Sequence, residues 1–141
     1  MQKLTPREIY PLVVRLDEDL LESIQAFATA NQIFAGRFSG TGLLKNVTLG
    51  YFHQVEKETT VLKMNRTMEL VSIKGDISEK NGVPVISGKV IVADSEHKLS
   101  GGALSPGTKV FNAELFIEVF DGGPLKRGFD PNTGLSLWSE V

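Results

Sequence analysis

The chain has no cysteine among its 141 residues, which excludes disulfide scaffolds, thiolate zinc sites and cysteine nucleophiles. It also has no excess of positive charge, because 15 Lys and Arg stand against 17 Asp and Glu, giving a formal net charge of -2. Its apolar runs are too short for a helix that spans a membrane. Residues 1–6 lack the basic and apolar regions of a signal peptide. We therefore expect a cytoplasmic protein with no membrane partner.

The basic residues are scattered along the chain, and only Lys126 and Arg127 are adjacent. Sequence-independent binding to phosphate backbones needs several concentrated cations. The sequence has no basic stripe or arginine-rich arm, so contact with DNA would need a cluster formed by folding or oligomerisation. The candidate DNA contacts are Arg37, Lys45, Arg66, Lys126 and Arg127.

Length and hydrophobic pattern predict one domain over residues 1–141 with a single main helix. Asp17 is the predicted N-cap, an apolar stripe follows from Leu20 to Ala28, and Asn31 ends the helix. The other segments alternate like strands, with Asn81-Gly82 favouring a type I′ hairpin and Gly101-Gly102 either a bulge or a close approach of two backbones. The predicted strands are Tyr10–Leu16, Ile33–Ser39 running into Gly40-Thr41-Gly42, Val47–Gln54, Thr60–Met64, Glu69–Ile77, Val83–Ala93 and Val110–Phe120.

These elements predict an α+β fold with a largely antiparallel, mixed sheet that curls towards a partial barrel. The last strand places Phe111, Ala113, Leu115, Ile117 and Val119 on one face and Asn112, Glu114, Phe116, Glu118 and Phe120 on the other. Phenylalanines interleaved with carboxylates fit either a core packed within one chain or a subunit interface. No element is predicted for the Gly-, Pro- and Asn-rich tail over residues 122–141.

Four segments resemble the plants-and-prokaryotes conserved (PPC) domain family over about residues 10–121. They are Val14–Ile24, Ser39–Phe52, Met68–Ile77 and Gly101–Leu104. The resemblance implies a fold like that of α-acetolactate decarboxylase and a homotrimer. In the plant AT-hook proteins a domain of this kind serves assembly and partner contacts, whereas stand-alone bacterial and archaeal members are commonly described as DNA-binding proteins. The resemblance therefore implies an assembly role and an association with DNA.

Many prokaryotic members have a His-x-His pair and a further histidine that together resemble a metal site. In this chain the three positions are Ser87, Lys89 and Ala103. Alternate strand residues share a face, but a hydroxyl, an ammonium and a methyl group do not supply the ligands of such a site. We therefore expect no bound metal and no cofactor. The resemblance to the plant Gly-Arg-Phe-Glu-Ile-Leu motif is partial, because its arginine position falls on Thr67.

Because Lys89 occupies one of these three positions, we consider the hypothesis that its ammonium group takes the place of the metal ion. In one hypothesis Lys89 pairs with Glu69, which lies on a face with Val71, Ile73 and Ile77, while Ser87 donates a hydrogen bond. In the alternative, Lys89 reaches solvent along its aliphatic stem and Glu69 lies at a strand end. The two histidines, His53 and His97, have no second histidine at ligand spacing, so neither is assigned to a metal or to catalysis.

Three functions are compatible with these residues. The first is a DNA-associated, homotrimeric assembly or interaction module with no catalytic residue. The second is a small-molecule-binding protein, or a metal-independent enzyme, that uses a pocket around Ser87 and Lys89. The third is a trimer that serves only as a scaffold for a protein partner.

Overall fold

The structure is a computed structural model that describes residues 1–141. Eight strands form one sheet in the order β1-β8-β2-β5-β6-β7-β3-β4, and β9 and β10 form a separate hairpin. In chain order the elements are β1 (Thr5–Val14), α1 (Leu20–Ala30), β2 (Gly36–Leu44), β3 (Val47–His53), β4 (Glu58–Met64), β5 (Met68–Lys80), β6 (Val83–Ala93), β7 (Leu99–Leu104), β8 (Val110–Asp121), β9 (Arg127–Asp130) and β10 (Leu135–Trp138).

All neighbouring strands are antiparallel, so the prediction of a mixed sheet is wrong. The predicted antiparallel sheet with one main helix is confirmed. Strands β1 and β4 lie at opposite edges and do not pair, so the sheet is not closed into a barrel. The Asn81-Gly82 hairpin has the expected geometry, because both residues have positive φ, 53° and 77°.

The helix begins two residues later than its pattern suggests. Asp19 is the N-cap: its carboxylate accepts hydrogen bonds from the backbone N–H of Glu22 at 3.0 Å and of Gly107 at 2.7 Å. Asp17 is not the cap, since its φ of 69° places it in the turn before the helix. Asn31 is the C-cap as predicted, although the left-handed residue is Gln32. With 11 residues, α1 is too short to cross a membrane, and the structure has no longer helix.

The core lies between α1 and one face of the sheet, which we call the inner face. Phe38 is buried on this face, and its ring lies over Gly75 and Gly88 of the neighbouring strands. A Cβ atom added to Gly75 would lie 2.6 Å from Cζ of Phe38, so the ring needs glycine there. The most buried large side chains are Leu20, Ile24, Ile33, Leu44, Leu70, Ile73, Ile77, Ile117, Val14, Val47, Val90 and Val92.

Two bulges change which residues face the core. Of the two alternatives for Gly101-Gly102, the bulge is wrong, because both residues pair with β6 without a register shift. The close backbone approach is confirmed, because a Cβ atom added to either glycine would lie 2.9 Å from a backbone carbonyl oxygen. The β5–β6 register shifts instead between Leu70 and Ser72. An extra residue there reverses the alternation, so Glu69 and Val71 are exposed while Ile73 is buried. The expectation that Glu69 shares a face with Ile73 and Ile77 is therefore wrong.

The faces of β8 are mostly as predicted, with Ala113, Leu115, Ile117 and Val119 buried. Phe111 is an exception: the β2–β8 register shifts between Leu43 and Leu44, and Val110 takes the buried place. On the other face Phe116 is 63% exposed in the single chain, so a place in the core is wrong for this side chain. Phe120 is half-buried, with the Arg37 guanidinium 5.7 Å from its ring centre.

Candidate functional site

The three residues at the positions of the family's histidines lie together on the outer face of the sheet. Lys89 of β6 is directly opposite Ala103 of β7 on one side and Lys74 of β5 on the other. Ser87, two residues before Lys89, is opposite Asp76. Because directly paired strand residues project to the same face, these side chains share one surface.

The C-terminal hairpin of β9 and β10 lies over this surface, although no element was predicted for residues 122–141. Arg127 attaches the hairpin to the sheet. Its Nε donates to Oγ of Ser78 at 2.7 Å, and its Nη2 donates to Oδ1 of Asp76 at 3.0 Å. Its Nη1 donates to the carbonyl of Ser136 within the hairpin at 2.7 Å. Arg127 is only 12% exposed, so it serves as an internal anchor, and its side chain is not available as a DNA contact.

Two cavities open on either side of Lys89 beneath and beside the hairpin. The larger has a volume of about 930 Å³ and lies towards Phe116, with Trp138 of β10 at its margin. The smaller has a volume of about 480 Å³ and lies towards Tyr51 of β3. Lys89 lines both cavities, whereas Ser87 lines the first and Ala103 the second.

The larger cavity holds more positive than negative charge. Both of its carboxylates are already paired, Glu118 with Arg37 at 2.6 Å and Asp76 with Arg127 at 3.0 Å. Lys74 and Lys89 make no ion pair. The two ammonium groups therefore remain without a counter-ion from the chain.

The hypothesis of a Lys89–Glu69 ion pair is not supported by the register. Glu69 is opposite Leu43 and Ala93, four residues along β6 from Lys89, and it is exposed. Ser87 donates no hydrogen bond to either residue. The structure instead agrees with the alternative, because the Lys89 side chain is exposed and Glu69 is the second residue of β5.

The candidate DNA contacts do not form one patch. Lys45 pairs with Asp17 in the turn after β2, and Lys126 pairs with Glu140 at 3.7 Å in the tail. Arg66 is the one candidate without an ion pair, and it lies in the loop before β5. Arg37 lies in the middle of the outer face. The five cations are thus spread from one end of the sheet to the other, and four of them are neutralised by carboxylates.

The residues at the family's metal positions do not fit a metal ion. Ser87, Lys89 and Ala103 supply no imidazole or carboxylate, and no group of three His, Cys, Asp or Glu side chains lies close enough to hold an ion. His53 is hydrogen-bonded through Nε2 to Oγ1 of Thr60 at 2.9 Å on the β3–β4 hairpin. His97 lies in the turn between β6 and β7 with a φ of 66°.

The groups with shifted pKa values lie in turns or at the sheet edge and not in the cavities. The backbone N–H of Lys98, followed by that of Glu96, lowers the pKa of Asp94. In the turn of the C-terminal hairpin, the hydroxyl of Thr133 and then the backbone N–H of Asn132 lower the pKa of Asp130. These shifts indicate carboxylates that stabilise turns.

The third group with a shifted pKa lies on the edge strand β1. The hydrogen bond from Tyr10 to Glu8 raises the pKa of the Tyr10 hydroxyl. No shifted group therefore points to an acid or base in either cavity.

Comparison with known proteins supplies a family and several similar folds. The family model of the Plants and Prokaryotes Conserved (PCC) domain matches residues 1–121. A metal-containing protein from Archaeoglobus fulgidus is 27% identical over 99% of both chains, with a TM-score of 0.93. A plant- and prokaryote-conserved protein from Pyrococcus horikoshii is 32% identical over 99% of this chain and 96% of its own, with a TM-score of 0.91.

A candidate DNA-binding protein from Bacteroides thetaiotaomicron has the same fold. It is 19% identical over 96% of both chains, with a TM-score of 0.87. At this identity the similarity is one of fold alone. No curated protein matches the chain.

Proposed function

Since the chain belongs to the plants-and-prokaryotes conserved domain family, we propose that it acts as a homotrimeric assembly module that associates with DNA in the cytoplasm. The family model confirms the resemblance found in the sequence, and the match begins at residue 1 instead of residue 10. The assembly role is supported by one observation above the others: a large aromatic side chain, Phe116, is exposed on the outer face of the sheet.

Apolar neighbours of Phe116 extend this exposed surface across two strands. Ile9 and Val13 of the edge strand β1 are 62% and 45% exposed. They lie on the same face as Pro11, which is between them in the strand and directly opposite Phe116. A contiguous apolar patch on a protein surface usually marks an interface, and the free backbone groups of an edge strand add hydrogen-bonding capacity. We take the occupant to be a second copy of the chain, because the family resemblance implies self-assembly.

The oligomeric state tests this proposal directly. Light scattering coupled to size-exclusion chromatography should give three times 15.4 kDa, or about 46 kDa. Phe116→Ser should shift the mass towards that of one chain. Phe129→Ser is the matched control, because Phe129 is 68% exposed on the hairpin and away from β8, and it should leave the mass unchanged. A monomeric wild-type protein would refute the assembly role.

Association with DNA is the second part of the proposal. It is supported by the description of similar folds as candidate DNA-binding proteins. Three copies carry a formal charge of three times -2, or -6, so contact has to depend on local cations that assembly brings together. Arg66 is the strongest candidate, since it is exposed and makes no ion pair.

Fluorescence anisotropy with a labelled duplex over a salt series tests DNA association. Affinity should fall as salt rises, with a slope of about one in log K per log salt for each phosphate contact. Arg66→Gln should weaken binding in every duplex sequence and lower the slope. Lys80→Gln, which removes an exposed cation at the β5–β6 hairpin, is the control. An affinity that ignores salt would contradict phosphate contact.

A small-molecule-binding role is the alternative, and the cavity of about 930 Å³ beside Ser87 and Lys89 favours it. This volume is within the range of ordinary ligand pockets. The structure offers no nucleophile–base pair there, so we propose binding and assign no catalytic residue.

A further inference from the structure

We propose that Lys74 and Lys89 form the binding site of a small organic dianion, such as a phosphate monoester or a dicarboxylate with an apolar group. The proposal rests on the small-molecule alternative above and does not need DNA association. It concerns the larger cavity, between the outer face of the sheet and the C-terminal hairpin. Ile9 and Phe116 line the cavity and also belong to the proposed interface, so the site borders the second copy in the assembly.

The first argument is the register of the two lysines. Lys74 of β5 and Lys89 of β6 are directly opposite each other in the antiparallel ladder. Residues paired in this way have Cβ atoms about 5 Å apart, and like charges there destabilise a sheet. Each ammonium lacks a carboxylate partner. A bound dianion between them would relieve the repulsion and accept hydrogen bonds from both groups.

The second argument is the charge of the surrounding cavity. Its other three ionised side chains are Arg37, Glu118 and Asp76. Glu118 forms an ion pair with Arg37, and Asp76 forms one with Arg127, which is not itself a lining residue. The two lysines therefore leave a local charge of about +2 on a chain whose net charge is -2. Because this concave site is positive whereas the chain as a whole is negative, it favours an anionic ligand.

The third argument is the remaining lining, which can hold the rest of a small molecule. Ser39 and Ser87 border the two lysines, and neither hydroxyl is hydrogen-bonded to the protein, so both can donate to an anion. Phe116 and Trp138 form apolar walls at the other side. A volume of about 930 Å³ accepts a molecule of metabolite size.

The only tryptophan of the chain, Trp138, lines the cavity and reports binding directly. Phenyl phosphate is the probe, and phenol is its neutral counterpart. We expect phenyl phosphate to change the Trp138 emission in a saturable way, and phenol to have no effect at the same concentrations. Phthalate, a dicarboxylate of similar size, distinguishes a carboxylate ligand from a phosphate ligand.

Three variants test the assignment of the lysines. Lys74→Gln and Lys89→Gln should each weaken phenyl phosphate binding by about tenfold or more, since each loses a charge-assisted hydrogen bond. The double variant should abolish binding. Lys80→Gln, an exposed lysine outside the cavity, is the matched control. Circular dichroism and mass measured by light scattering establish that each variant is folded and assembled like the wild type.

The outcomes of these experiments distinguish a failure of the lysine site from a failure of the small-molecule-binding role on which it rests. Probe binding that survives the double lysine variant would overturn the lysine site and leave the small-molecule role standing. No response to phenyl phosphate or phthalate would overturn both. If the double variant lowers duplex affinity but not probe binding, the lysines serve the DNA backbone and the inference is wrong.

Discussion

The attachment of the C-terminal hairpin by Arg127 can be tested by Arg127→Met, which keeps much of the side chain's length and removes its guanidinium. Two of the lost hydrogen bonds go to neutral oxygens, of Ser78 and Ser136, and are worth about 1.5 kcal/mol each because their donor is charged. The third goes to the carboxylate of Asp76 and is worth about 1.5–3 kcal/mol.

These contributions share one guanidinium and are not additive, so we expect a loss of about 3 kcal/mol in the free energy of unfolding. Solvent screening lowers this only modestly, because the side chains of Arg127 and Asp76 are 12% and 24% exposed. The variant also leaves the fully buried Ser78 hydroxyl without its donor. A loss of this size is a large part of the stability of a small protein.

Two measurements separate global from local effects. Urea unfolding followed by circular dichroism gives the free energy of unfolding of the whole chain. Acrylamide quenching of Trp138, the only tryptophan, gives the exposure of the hairpin. In Arg127→Met we expect a lower urea midpoint and stronger quenching in native buffer, because the hairpin detaches before the sheet unfolds.

Arg66→Met is the matched control, since Arg66 is an exposed arginine without an ion pair and should change neither quantity. Arg127→Lys should lie between the wild type and Arg127→Met, because one ammonium cannot reproduce the fork of three hydrogen bonds. If Arg127→Met has the midpoint and the quenching of the wild type, Arg127 does not hold the hairpin to the sheet.

The remaining predictions concern the helix cap and the hairpin turn. Asp19→Ala should cost about 1–2 kcal/mol in urea unfolding because the helix loses its N-cap, whereas Asp17→Ala should cost little, and equal losses would contradict the cap assignment. The folded-state pKa of Asp130 is lowered, so its stabilising effect is present above the unfolded value of about 4 and is lost as pH falls through the folded value. Tryptophan quenching in native buffer should therefore rise below about pH 4. Asp130→Asn should weaken this dependence, and an unchanged acid response in that variant would count against the turn carboxylate.

The strands with regular alternation were predictable from the sequence, and the irregular ones were not. The bounds of β6 match the predicted Val83–Ala93, because alternation continues between the Asn81-Gly82 turn and Asp94. Glu69 was placed on the wrong face because a bulge separates it from Ile73, and Phe111 because it is itself the extra residue of a bulge. One extra residue reverses every side chain that follows it, and nothing in the local pattern marks such a residue.

The candidate site was predictable only in part for a different reason. The resemblance identified Ser87 and Lys89, but Lys74 joins them through the register of β5 with β6. The C-terminal hairpin was missed because its strands have four residues each, too few for a periodic signal. Arg127 was mistaken for a DNA contact because its partner Asp76 is 51 residues away in the chain.

Metal content is the measurement that tests most directly whether a cationic surface has replaced the family's metal site. The wild-type protein, purified without added metal or chelator, is analysed by plasma mass spectrometry beside the triple variant Ser87→His, Lys89→His and Ala103→His. Because the three positions share one face, the triple variant should bind zinc. We predict no stoichiometric metal in the wild type. Stoichiometric zinc that is lost in Lys89→Ala would contradict the account.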